Sequence, residues 1–180
     1  VEALTGKAAE EAIYAVEDTL NDIKALFNNA KNLQATIEKS INENSELKKE
    51  VESFRQQKVE ELKNKLVAAA KDEHGVKVVT NVLPIPANSA KDLVFKIREA
   101  IPEHLVCVIG SIANDKPMLS VMFSEDMVKE HNLNAGKIIR EAAKLIKGGG
   151  GGQPHYAQAG GKDKDGLTAA IEKVVELCQL

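Results

Sequence analysis

In the first part of the chain, apolar residues recur in steps of three and four. That period suits helices and little else. Between Thr5 and Asn28 they fall at Ile13, Val16, Leu20, Ile23 and Phe27. A turn of 3.6 residues stacks such positions on one side of an α-helix. Thr5 is the expected N-cap. Asn28-Asn29-Ala30-Lys31-Asn32 breaks the pattern with turn-tolerant residues. A second stripe runs through Leu33, Ile37, Ile41, Leu47, Val51 and Phe54. It slips by one near Lys58 and continues at Val59, Leu62, Leu66 and Ala69. Asn44 falls in the seam, where a polar residue fixes register at some cost in stability. Helices with so short a connection are expected to fold back antiparallel. A seam between two copies of the chain has the same period, so a homodimer is the rival occupant.

Beyond Gly75 the pattern changes. Gly75 is expected to end the second helix, with Lys71 and His74 in its last turn. Val76 to Leu83 reads as a strand, stopped by Pro84 and Pro86. Ser89 and Asp92 resemble a capping pair opening a helix through Leu93, Ile97 and Ile101. Leu105 to Gly110 is a continuous apolar run, hence a buried strand. Asn114-Asp115-Lys116-Pro117 is a turn into the strand Met118–Phe123. Ser124 caps a short helix to His131, and a longer helix spans Asn134–Ile146 with Ile138, Ala142 and Leu145 toward the core. A glycine run, a short segment from His155 to Ala159 and a helix from Asp165 to Cys178 complete the chain. The predicted class is α+β: a long antiparallel helical hairpin at 1–74, then a small mixed-sheet α/β domain at 75–180 with helices mainly on one face. Because the chain opens inside a helix and lacks an initiator Met, it reads as a piece of a larger protein.

Composition narrows the function. Aromatic residues are 3% and Trp is absent, which argues against a single-strand binder that stacks bases on rings. The net charge is -3, so any polyanion site must be a local patch. One candidate patch exists. Lys137, Arg140, Lys144 and Lys147 recur at steps of three, four and three, which places four cations on one helix face. They lead into Gly148-Gly149-Gly150-Gly151-Gly152, then Gln153-Pro154-His155-Tyr156-Ala157-Gln158-Ala159-Gly160-Gly161-Lys162. Glycine permits positive φ and brings bare amides up to a phosphate or sugar edge. Adjacent cations gain from counterion release. No GK[ST] follows the glycines, so this is not a P-loop.

The run Gly150-Gly151-Gly152-Gln153-Pro154-His155-Tyr156-Ala157-Gln158-Ala159-Gly160-Gly161 closely resembles the terminal glycine-rich motif of alanyl-tRNA synthetases. The opening Val1-Glu2-Ala3-Leu4-Thr5-Gly6 is similar to the sequence after their editing domain. The resemblance spans the chain and implies the C-terminal domain of such an enzyme. It implies contact with the outer corner of tRNA, support of aminoacylation and editing carried upstream, and in some members dimerisation. Under it, Lys137, Arg140, Lys144, Lys147, Gly150, Gly151, Gly152, Gln153, Pro154, His155 and Lys162 are the expected nucleic-acid contacts. ATP, Mg and Zn would belong to upstream domains. Gly149 and Gln153 stand where the family often has basic residues, so the lysine and arginine stripe would supply that charge. The motif is shared with the substrate-binding lobe of DHH phosphoesterases. There a His directly follows the glycines, where this chain has Gln153. An oligomerisation module, with glycines serving only close packing, is the competing class.

Other residues offer little catalytic chemistry. His74, His104, His131 and His155 show no HxxxH or HExxH spacing. Cys107 lies in an apolar run, and Cys178 reads as an exposed bystander on the last helix. Asp163 and Asp165 read as helix caps rather than metal ligands. No CxxC and no disulfide framework is present, which suits a reducing, cytoplasmic setting. No apolar run is long enough to span a membrane.

Overall fold

A computed structural model describes residues 5–179, and the chain divides into two compact units at Ser53/Phe54. The first holds helix α1 (Lys7–Leu26) and the start of α2 (Leu33–Ala68). A turn through Asn28 and Asn29, both left-handed at φ 54°, joins them. Gly6, not Thr5, is the N-cap of α1, and no side chain caps it. Asn32 begins α2 instead, its Oδ1 accepting the Ala35 amide. The apolar stripe forms as the period requires but stays exposed: Ile13, Val16, Leu20, Ile41, Leu47 and Val51 all face solvent. Val1 to Leu4 of the opening motif lie outside the described residues.

The second unit is built on a six-stranded mixed sheet of order β1-β2-β3-β4-β6-β5. The strands are β1 (Lys71–Glu73), β2 (Val76–Leu83), β3 (Leu105–Ala113), β4 (Lys116–Phe123), β5 (Gly149–Gly152) and β6 (Tyr156–Gly160). The helices are the end of α2, α3 (Ala87–Ala100), α4 (Glu125–Lys129), α5 (Ala135–Ala142) and α6 (Leu167–Leu177). Strands β2 and β3 run parallel, joined by α3 as the crossover, and the other pairs are antiparallel.

The sheet is covered on both faces, not mainly on one. Val106 and Val108 of β3 and Leu119, Val121 and Phe123 of β4 pack with Ile139, Ile146, Leu167 and Val174. The alternate residues Leu105, Cys107, Ile109 and Met122 pack with Leu93, Val94 and Ile97 of α3 and with Val59 and Leu66 of α2. Burial on both faces explains the unbroken apolar run of β3. It also draws the last part of α2 into this unit, so the compact body begins well before Gly75.

Two expectations near this junction are corrected. Helix α2 stops at Ala68, and Lys71–Glu73 is a strand. Its partner β2 follows through His74 (φ 52°) and Gly75 (φ 90°) in a two-residue hairpin, and Asp72 Oδ1 accepts the Gly75 amide at 2.9 Å. Helix α3 starts at Ala87 with Pro86 in the N-cap position, so Ser89 is no cap. Ser89 is buried, and Arg55 donates to its hydroxyl at 3.3 Å and to Asp92 at 2.7 Å, tying α2 to α3.

Both cysteines are buried, Cys178 as well as Cys107, because the C-terminal end of α6 closes the core rather than facing solvent. Burial pushes the Cys107 thiol far up and the Cys178 thiol up to about 12. Since the thiolate is the reactive form, a thiol reagent at about pH 8 is expected to label neither until the chain unfolds. Labelling of Cys178 at the rate of a free thiol would refute its placement.

Candidate nucleic-acid interface

The glycine run is a strand, not a bend. β5 pairs antiparallel with β6, Gly149 opposite Gly160 and Gly151 opposite Gln158. No glycine from 148 to 152 has positive φ. Conformational freedom is therefore not why these glycines are there. Steric room is the reason at several of them. A β-carbon on Gly148 would meet the Gly160 carbonyl oxygen at 1.9 Å, and on Gly150 the Gln158 carbonyl oxygen at 2.2 Å. One on Gly152 would meet the Tyr156 carbonyl oxygen at 2.3 Å. Gly149 differs: nothing lies within 4 Å of its missing side chain. Gly149, Gly150 and Gly152 are exposed at the sheet edge, with Gly151 half-buried.

Helix α5 sits against this strand. Asn134 Oδ1 accepts the Lys137 amide at 3.0 Å and caps it. The Ala135 amide donates to the Pro154 carbonyl at 2.8 Å, fixing the helix start to the hairpin tip. A β-carbon on Gly136 would lie 2.6 Å from the Gly152 carbonyl, so glycine there allows helix and strand to touch. The chain pattern gave no signal for this residue. The buried face of α5 is Ala135, Gly136, Ile139 and Ala142, continued by Ala143 and Ile146 in one turn of 3-10 helix. Ile138 is half-buried and Leu145 is 43% exposed, so neither leads the core as expected. The helix tightens after Ala142, which rotates the later residues off the α period.

That tightening also divides the four cations. Lys137 and Arg140 lie on the exposed side of α5, and neither forms an ion pair among the described residues. The Arg140 guanidinium lies over the strand, 3.7 Å from where a β-carbon of Gly151 would be. Lys144, in the 3-10 turn, is exposed but pairs with Glu141 of α5. Lys147 adopts the left-handed conformation at φ 49° and pairs with Asp163 at 2.7 Å. The hydrogen bond with Asp163 raises the Lys147 ammonium pKa, and the same bond holds the Asp163 carboxyl below its usual range.

The remaining candidates lie around the same hairpin. Gln153 and Pro154 are exposed at its tip, where the Gln153 amide donates to the Tyr156 carbonyl at 2.8 Å. His155 is half-buried, and its carbonyl accepts the Phe123 amide at 2.9 Å. Lys162 is exposed just past the hairpin, its amide bound to the Ile146 carbonyl. Tyr156 packs its ring on Phe95 at 5.0 Å, and burial pushes its hydroxyl up to about 12. Among the described residues no three of His, Cys, Asp and Glu are grouped to hold a metal ion. Asp163 Oδ1 accepts the Asp165 amide, but the N-cap position of α6 belongs to Gly166. No described helix is long and apolar enough to cross a membrane.

A surface of exposed peptide beside unpaired cations can hold an anionic, hydrogen-bonding ligand. Alanine–tRNA ligases of Bacteroides thetaiotaomicron and Bacteroides fragilis are each 49% identical over 177 residues. That stretch covers 98% of this chain and 20% of theirs, so the chain spans about a fifth of those relatives. The ligase of Porphyromonas gingivalis is 38% identical over 181 residues, covering 100% of this chain and 20% of its own. The C-Ala domain from Aquifex aeolicus alanyl-tRNA synthetase matches with a TM-score of 0.54 and 26% identity over 62% of this chain and 98% of its own. Exonuclease RecJ bound to manganese shares the fold at a TM-score of 0.50 and 18% identity, covering 82% of this chain and 32% of its own. The DHHA1 domain model matches residues 75–180, which take in the sheet from β2 onward and the whole glycine hairpin, and the chain accordingly belongs to the DHHA1 domain family.

Proposed function

We propose that this chain is the tRNA-binding and assembly module of an alanine–tRNA ligase. The observation that carries the reading is the Arg140 guanidinium lying over the glycine strand, with unpaired Lys137 on the same helix. Charge distribution supports it. Residues 54–180 hold eighteen basic and sixteen acidic side chains, whereas residues 1–53 hold six and eleven. A polyanion is therefore drawn to the sheet-bearing unit and repelled by the helical one. The strand presents peptide groups and few base-reading side chains, which suits recognition of folded RNA by shape and backbone.

In this reading aminoacylation, editing and any ATP, Mg or Zn chemistry reside in other segments of a cytoplasmic ligase. The fragment itself carries no catalytic step. The exposed apolar stripe of α1 and α2 then serves the upstream domains or a homodimer.

The test is a titration of the chain with unfractionated tRNA at two salt concentrations. Replacing Lys137 and Arg140 together by Met is expected to weaken binding and flatten the salt slope by about one unit per lost phosphate contact. Lys144→Met is expected to change it less, because that ammonium is already paired with Glu141. A monodisperse oligomer with no salt-sensitive affinity for tRNA would instead favour the pure oligomerisation module.

A further inference from the structure

Lys147 is placed oddly for a residue that serves only as a surface charge. It follows the 3-10 turn in left-handed conformation, φ 49° and ψ 47°. Chain ends of helices usually give that position to glycine, because a β-carbon is disfavoured there. Glycine is plainly available in this segment, since five follow at once. Lysine carries a β-carbon into that conformation, and its side chain is bound to Asp163 at 2.7 Å.

The pair sits at the root of the glycine hairpin, where its two ends meet. The Ile146 carbonyl accepts the amides of both Lys162 and Asp163, at 2.9 and 3.0 Å. A β-carbon on Gly161 would lie 2.3 Å from that same carbonyl. Asp163 is also tied onward, its Oδ1 accepting the Asp165 amide at 3.2 Å on the way into α6. The ion pair thus closes a ring through β5, β6 and the entry to α6.

Resting on the tRNA-binding reading above, we propose that Lys147 and Asp163 are positioning residues. They clamp the root of the hairpin, hold β5 under the Arg140 guanidinium, and add no charge of their own to the bound RNA. The ligand-facing cations are then Lys137, Arg140 and Lys162.

A double-mutant cycle on the whole chain tests this. Lys147→Met, Asp163→Asn, the double variant and Lys147→Arg are titrated with unfractionated tRNA across a salt series. Hydrogen exchange of the Gly149–Gly152 amides is followed without RNA. Each single variant is expected to weaken binding by about two- to five-fold, the worth of a partly exposed ion pair. The double is expected to be no worse than either single, and Lys147→Arg to restore binding. The salt slope should stay at its native value, and the β5 amides should exchange faster in both singles alike. The proposal is overturned if Lys147→Met flattens the slope while Asp163→Asn tightens binding. That pattern would mean Asp163 merely competes with RNA for the ammonium. It is also overturned if the β5 amides are unmoved. If the native chain shows no salt-sensitive tRNA binding but the amides respond as expected, the clamp stands as a structural element and the tRNA reading is what fails.

Discussion

Replacing Gly150 with alanine is expected to unfold the glycine hairpin. The added β-carbon would come within 2.2 Å of the Gln158 carbonyl oxygen and 2.4 Å of the Ala159 α-carbon. Both are backbone atoms of β6, and neither can swing aside as a side-chain tip would. β6 cannot retreat, because β4 holds its other edge from Met118 to Met122. β5 must therefore detach or the sheet must distort, at a cost of about 3 kcal/mol. Gly149→Ala supplies the control one residue away. Its space is open and its φ lies outside the left-handed region, so the change is expected within about 0.5 kcal/mol of native. Urea unfolding of the two variants checks the pair. Equal losses would mean that the glycines act by flexibility, not by room.

The second large effect is expected at Phe123. It is fully buried, among the largest side chains of the core, and stands at the end of the central strand β4. Truncation to alanine removes its buried area and leaves a cavity in the core cluster on that face of the sheet. The expected loss is about 3–5 kcal/mol. For a unit of this size that is a large part of a total stability of roughly 5–15 kcal/mol. The site should feel it as well, since the Phe123 amide donates to the His155 carbonyl beside the hairpin tip. Leu145→Ala is the matched contrast. Leu145 is 43% exposed despite its place in an apolar pattern, and its truncation is expected to cost about 0.5 kcal/mol or less. A large loss at Leu145, or a small one at Phe123, would reverse the core assignment.

Much of the fold was legible because its signals are local. The apolar stripes of α1 and α2, the unbroken run of β3 and the Asn114-Asp115 turn announce their own conformations. Asn114 and Asp115 are left-handed at φ 51° and 57°, as a tight hairpin needs. The junction after Ala68 was less legible. Lys71, Asp72 and Glu73 are poor strand formers, and they become a strand because the His74-Gly75 turn folds them onto β2. The site was half legible. A row of lysine and arginine before a glycine run indicates where charge and bare backbone coincide. It does not reveal which cations are already spent on Glu141 and Asp163.

Periodicity and turn chemistry act over a few residues, so the helices and most of the strands can be read along the chain, as can the place where lysines and glycines meet. What the glycines are for, and which cations stay unpaired among the described residues, came from the packing. Those properties depend on which distant backbones and carboxylates are brought within a few ångströms, and no local pattern encodes that distance.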